Sequence, residues 1–226
     1  MLIDVIIPAW NEEQSIAKVI ADLPAQVREV VVVDNNSTDQ TSKVAAEAGA
    51  RVLLERKQGY GAACLTGIAH LNAKALPPDI IVFIDGDYSD YPEQLPELVA
   101  PIIYEGMDMV IGSRAIGQRE KGAMMPQQIF GNWLATSMMR ILYGVKFTDL
   151  GPFRAITTKA LNAIEMKDQT YGWTVEMQVK AAKKGLKFTE VPMNYKKRIG
   201  VSKVSGTVKG TILAGYKIIT TILKYR

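Results

Sequence analysis

Five runs rich in Val and Ile, LIDVIIP, EVVVVD, RVLLE, DIIVFID and DMVIGS, alternate with helix-like segments through the first half of the chain. This alternation constrains the fold more than any other feature. Strands that are apolar throughout must be covered on both faces, and the intervening helices supply the cover. The segments NEEQSIAKVIADL, STDQTSKVAAEAG, GYGAACLTGIAHLNAKA and PEQLPELVAPIIYEG read as those helices, the second with Ser37 or Thr38 at its cap and Gly49 at its end. The expected class is α/β, with a mostly parallel central sheet and helices on both faces. With 226 residues, 48% of them hydrophobic, the chain can bury such a core unaided.

Beyond Ser113 the regularity stops. RAIGQREKGAMMPQ is polar and reads as a loop. QIFGNWLATSMMRILYG carries apolar residues at helical spacing, namely Ile129, Trp133, Leu134, Met138, Ile141 and Leu142. FRAITTKALNAI and WTVEMQVKAAKKG each lead into a helix, and LKFTEVPMNY is a strand. No linker divides the chain, so residues 1–204 form one domain and residues 205–226 an amphipathic C-terminal helix. In that helix Val208, Ile212, Tyr216, Ile219 and Leu223 share a face, with Lys209, Lys217 and Lys224 alongside. It either packs on its own domain or lies on an anionic bilayer with its apolar face down.

Several chemistries are disfavoured at once. One cysteine, Cys64, allows no internal disulfide and no cysteine-based zinc site, and the lone His70 makes a Ser-His-Asp system improbable. The N-terminus lacks the basic start and long apolar core of a signal peptide, and no run is long enough to span a bilayer. A cytoplasmic protein, peripheral at the inner membrane face, is the expectation. The formal charge of +4 is uneven: twelve Lys or Arg face two acids from Glu176 onward, leaving the first 175 residues net acidic. A basic end suits an anionic surface or substrate, and it leaves room for a membrane-protein partner or a homo-oligomer. A nucleic-acid binder would leave the acidic body unexplained and would need more interleaved aromatics.

Ligands of open parallel sheets bind beyond the carboxyl ends of the strands. Here those ends read PAWNEE, DNNSTD, DGDYSD and GSR. In extended backbone Asp85 and Asp87 point to one side, with Gly86 between them allowing close approach. Paired hard oxygen ligands with open positions suit Mg²⁺ or Mn²⁺ already held by phosphate oxygens.

With these residues in view, the chain resembles glycosyltransferase family 2, in the branch of dolichyl- and polyprenyl-phosphate mannosyl- and glucosyltransferases. The stretches that carry the resemblance are IIPAWNEEQSI, VVVDNNSTDQT, QGYGAA, IDGDYSDYPE, VIGSR, FTDLGPFRAI, YGWTVEMQVKAAKKGLKFTEVP and YKKRIGVSK, in the family's order over nearly the whole chain. The resemblance implies a GT-A fold, a UDP- or GDP-sugar donor and an inverting hexose transfer. It implies that Pro8, Ala9, Asn11 and Glu12 line the base and ribose pocket, with Asp34 and Asn36 facing the base and Gly61 in the donor-binding QGYGAA stretch. Asp85 and Asp87 match the metal-binding pair, while Ser89 stands where some relatives carry a third metal-reaching side chain. Arg114 and Arg154 match basic positions near phosphates or acceptor, and Arg198 and Lys203 match a segment closing over the donor.

The acceptor decides whether a general base is needed. A sugar hydroxyl requires one, and Glu176 and Asp149 are the candidates; an ionised lipid phosphate requires none. The expected reaction is hexose transfer to a polyprenyl phosphate, with a soluble small molecule or a glycan as the alternative acceptor. A nucleotidyltransferase would place a glycine-rich basic loop after the first strand, where this chain has the acidic PAWNEE.

Overall fold

The computed structural model describes residues 1–200 and 208–225. Seven strands, β1 (Ile3–Ala9), β2 (Val27–Asp34), β3 (Arg51–Leu54), β4 (Ile80–Phe83), β5 (Met109–Ser113), β6 (Arg154–Thr157) and β7 (Phe188–Pro192), form one sheet in the order β3-β2-β1-β4-β6-β5-β7. Every pairing is parallel except those of β6, which runs antiparallel to both β4 and β5. The reversal follows from the connection: β5 leaves the sheet at its carboxyl edge and β6 re-enters at that same edge, with Ile111 opposite Arg154.

Eight α-helices complete the chain among the described residues: α1 (Ile16–Ala21), α2 (Thr41–Glu47), α3 (Tyr60–Asn72), α4 (Leu95–Glu105), α5 (Pro126–Tyr143), α6 (Thr158–Ile164), α7 (Trp173–Lys183) and α8 (Val208–Lys224). Strand side chains alternate between two cores, as the pleat requires. Ile6, Val31, Val33, Phe83, Ile111 and Ile156 pack toward α3, α5, α6 and α7. Val5, Ile7, Val32, Val82, Val110 and Ala155 pack toward α1, α2 and α4. Trp173, fully buried at the head of α7, meets Phe83 edge-on at 4.6 Å and Tyr60 at 6.0 Å, and contributes about 2–3 kcal/mol by leaving water. Cys64 is buried in the first core, which pushes its thiol pKa up and leaves it a packing residue. The acid inside β1, Asp4, is fully buried and paired with Arg28, whose Nε reaches it at 2.9 Å.

The first two helices are shorter than the sequence suggests. The polar residues ahead of them hold two strand-end loops together instead of capping. Asn11, in the left-handed region at φ 54°, accepts from the Thr38 amide at 2.8 Å, and its own amide donates to the Ser37 hydroxyl at 2.9 Å. The Asp39 carboxylate accepts from the Thr41 amide at 3.0 Å, so α2 starts at Thr41 rather than at Ser37 or Thr38.

The last helix packs on its own domain through Ile218, Thr221 and Ile222, against α5 and α7. The stripe expected to seek an apolar surface, represented by Ile212, Tyr216 and Leu223, faces solvent. Along α5 likewise, Ile129, Trp133 and Ile141 are exposed while Ala135, Thr136 and Met139 are buried. No helix among the described residues is long and apolar enough to cross a membrane.

Candidate active site

A cleft of about 820 Å³ opens beyond the carboxyl ends of β1, β2, β4 and β5, a size suited to a small-molecule ligand. Pro8, Ala9, Trp10 and Glu12 form one wall, so three of the four residues expected at the end of β1 reach the cleft; Trp10 joins them unannounced by the sequence, and the Asn11 side chain holds the Thr38 turn. The second strand end differs from expectation. Asp34 is buried and accepts from the Ser37 amide at 2.8 Å and from the Ser42 hydroxyl. Asn36 is exposed at φ 64°. It is Asn35 that reaches the cleft, where its side-chain amide donates to the carbonyls of Glu55 (3.1 Å) and Lys57 (2.8 Å) and its oxygen accepts from the Gly59 amide at 2.7 Å. Asn35 thereby fixes the wall formed by Gln58 and Gly59.

Gly61 serves packing rather than ligand approach. A Cβ there would lie 2.1 Å from the Asp168 carbonyl oxygen, so the start of α3 can abut the 168–169 backbone only with glycine.

Asp85 and Asp87 both line the cleft. One Asp87 oxygen accepts from the Ser89 amide at 2.9 Å and the Ser89 hydroxyl at 2.5 Å, and the other meets Arg198 Nη1 at 3.1 Å. Ser89 is buried and orients Asp87. Asp85 Oδ1 is sealed from solvent beside the equally sealed Tyr60 hydroxyl. Burial and then the Asp87 charge push the Asp85 carboxyl up to about 7. A divalent cation between the two carboxylates would offset that burial and repulsion.

Among the described residues no cluster of three or more His, Cys, Asp or Glu forms a closed metal cage. The donor set is therefore two carboxylates, one with an oxygen sealed beside the Tyr60 hydroxyl. That fits a hard divalent cation which takes its other ligands from a diphosphate and water, and it does not fit a metal held by protein alone.

Arg198 is the cation that faces this pair. Its guanidinium bridges Glu12, at 2.8 Å, and Asp87, while the Ile199 amide donates to the Asp87 carbonyl at 3.0 Å. Lys196 anchors the same segment by resting over the rings of Tyr88 (3.3 Å) and Tyr91 (4.4 Å). Lys203 lies outside the described residues.

Three charged residues expected at the chemistry are held elsewhere. Arg154 is fully buried; its guanidinium donates to the carbonyls of Leu150, Gly151 and Thr174, and burial brings its pKa down to about 10. It shapes the 150–152 turn and touches no ligand space. Glu176 is also fully buried, accepting from the Lys167 and Asp168 amides, from Lys180 at 2.8 Å and from the Tyr225 hydroxyl at 2.6 Å. Burial alone would raise its pKa, but these donors outweigh it and hold the carboxyl below its ordinary value. Asp149, buried, forks onto Arg114 at 2.8 Å for each oxygen and accepts the Arg114 amide at 2.7 Å. Arg114 itself reaches the cleft rim, over the Tyr195 ring at 5.0 Å.

Glu176 is thus an anchor for the 167–168 turn and α8 rather than a base. Glu176→Gln is expected to destabilise the protein by about 1–3 kcal/mol while the folded fraction keeps its turnover, measured by chemical unfolding beside initial rates. A depressed folded-state pKa contributes stability above the unfolded value, lost as pH falls through the folded one. The gap between wild type and variant should therefore narrow in acid.

The family model described as glycosyl transferase family 2 matches residues 4–164. An uncharacterised glycosyltransferase of Mycobacterium tuberculosis is 36% identical over 94% of this chain and 94% of its own length. A dolichyl-phosphate hexose transferase of Haloferax volcanii is 34% identical, over 98% and 94% respectively. Among solved structures, glucosyl-3-phosphoglycerate synthase from Mycobacterium tuberculosis with phosphoglyceric acid aligns at a TM-score of 0.77 and 25% identity, covering 99% of this chain and 79% of that one. The same synthase has been solved with Mn²⁺, UDP-glucose and phosphoglyceric acid, at a TM-score of 0.78 and 24% identity, with the same coverage.

Proposed function

Because the chain belongs to glycosyltransferase family 2 and is a glycosyltransferase, we propose that it moves a hexose from a nucleotide-diphosphate sugar to a polyprenyl phosphate. The observation that carries the acceptor is that, among the described residues, every carboxylate lining the cleft is engaged. The carboxylates lining the cleft are Glu12, Asp85 and Asp87; the first and last pair with Arg198, and Asp85 belongs to the cation-binding pair. The two further candidates, Glu176 and Asp149, are buried and saturated. A hydroxyl acceptor needs its proton removed, whereas a phosphate monoester arrives ionised. The cleft is also lined by Met125, Leu150, Pro152, Ala214 and Ile218, apolar side chains that suit a prenyl chain.

In this reading the wall of Pro8, Ala9, Trp10, Gln58 and Gly59 receives the nucleoside, and Asn35 keeps that wall in place. Asp85 and Asp87 would hold a divalent cation, Mg²⁺ or Mn²⁺, which when bound supplies positive charge to the donor's diphosphate. Arg198 and Arg114 border the same space and offer forked contacts to phosphate oxygens. The acceptor oxygen attacks the anomeric carbon opposite the leaving diphosphate, and the carbon–oxygen bond to the β-phosphate breaks with its electron pair. One displacement inverts the configuration. A soluble acceptor is the second reading, favoured by the synthase that binds phosphoglyceric acid.

Incubating the protein with UDP- or GDP-sugars, Mn²⁺ and polyprenyl phosphate in anionic vesicles tests this directly. Cation-dependent labelling of the lipid is expected. Nucleotide release with phosphoglycerate or another soluble acceptor, and none into lipid, would replace the lipid with the soluble class.

A further inference from the structure

Helices α5 and α8 lie side by side and both rest on α7, and each leaves a face exposed. Those faces are apolar. Ile129, Phe130 and Trp133 on α5 are 45%, 61% and 60% exposed, and Ile212, Leu213 and Tyr216 on α8 are 65%, 47% and 68% exposed. A monomeric soluble surface rarely gathers so many large apolar side chains in one place. Neither helix contains a single Asp or Glu, and the exposed flanks carry Arg140 and Lys224. On the other side of the same two helices, Gln128, Ala214 and Ile218 line the cleft.

We infer that this two-helix face docks on an anionic bilayer, bringing the cleft that the same two helices line to the lipid surface. The chemistry selects that occupant. Aromatic rings on an acid-free face with cations at its edge match the boundary between acyl chains and anionic headgroups. The same positive edge disfavours pairing with a second copy of the chain, because like charges would meet. The inference deepens the proposed function and rests on it for its purpose: a prenyl chain anchored in the bilayer would enter the cleft without leaving apolar surroundings.

The test uses the full chain with vesicles of phosphatidylglycerol and phosphatidylcholine, in the absence of donor and acceptor. The protein should sediment with these vesicles, far less with phosphatidylcholine alone, and be released by high salt. Phe130→Ser combined with Trp133→Ser should weaken partitioning about tenfold or more, and Ile212→Ser with Tyr216→Ser should act alike. Tyr104→Ser, on α4 across the sheet, should leave it unchanged, and thermal unfolding would verify that each variant folds. Equal sedimentation of wild type and the paired variants would overturn the inference. So would wild type that ignores vesicles, or light scattering that shows a dimer dissociated by the same variants. Transfer to a short, water-soluble prenyl phosphate without vesicles separates the two claims. Vesicle binding with no such transfer sinks the acceptor reading alone, and transfer without vesicle binding sinks the docking surface alone.

Discussion

Asp87→Asn is expected to lower turnover by about a thousandfold or more while leaving the fold in place, and Asp85→Asn to do the same. The two substitutions differ in what else they change. Asp87 is oriented by Ser89 and faces Arg198, so its neutral form keeps the Ser89 contacts and loses the charge that draws the 196–200 segment inward. Asp85 has an oxygen sealed beside the Tyr60 hydroxyl and a carboxyl raised to about 7 by burial and by Asp87. A raised carboxyl costs the fold stability as pH climbs through the window between its unfolded and folded values. Asp85→Asn should therefore melt no lower than wild type at neutral pH, although it is inactive. Initial rates at limiting Mn²⁺ beside thermal unfolding check both halves, and full turnover in either variant would end the assignment of the cation-binding pair.

Asp149→Ala is expected to cost about 3–5 kcal/mol, because it strands a buried guanidinium. Arg114 is only 11% exposed at its side chain, and Asp149 takes three of its donors. At roughly 3 °C per kcal/mol for a chain of this length, the melting midpoint should fall by about 10 °C. Adding Arg114→Met should recover part of that loss, since a neutral chain no longer needs the carboxylate. Burial alone would raise the Asp149 pKa, but Arg114 holds it below its ordinary value, so the pair contributes above the unfolded pKa and fades as pH falls. A midpoint within a degree of wild type would mean that water solvates the pair.

The strands that carry Asp85, Asp87 and the residues after β1 are legible in sequence because each is a local apolar run ending in polar residues. The reversal of β6 is not, since RAIT looks the same in either direction and only the path of the preceding segment decides it. The second strand end misleads for a related reason. The family resemblance singles out Asp34 and Asn36, but Asn36 has a positive φ and is exposed, and Asn35 turns into the cleft. Arg154 and Glu176 sit in motif-like surroundings, and nothing in a charge's type tells whether carbonyls and amides or a substrate will meet it. Helical spacing likewise reveals an apolar stripe on α8 without showing which neighbours cover the other side. Trp10, Tyr60 and Tyr195 gave no pattern at all, because each reaches the cleft through tertiary placement.

The placement of β5 and β6 bears on how such a chain can change. Residues 114–153 leave and return at one edge of the sheet, clasped where the Gly112 amide meets the Phe153 carbonyl at 2.8 Å. That excursion carries Arg114, α5 and the 150–152 turn, while the strands bearing Asp85, Asp87 and Asn35 lie outside it. The cost of closing a loop rises only slowly with its length, so the exposed stretch at 118–121 can grow at little cost, while Ala135, Met139 and Phe147 tie the rest of the excursion into the core. Residues added there would leave the register of the strands bearing Asp85, Asp87 and Asn35 unchanged.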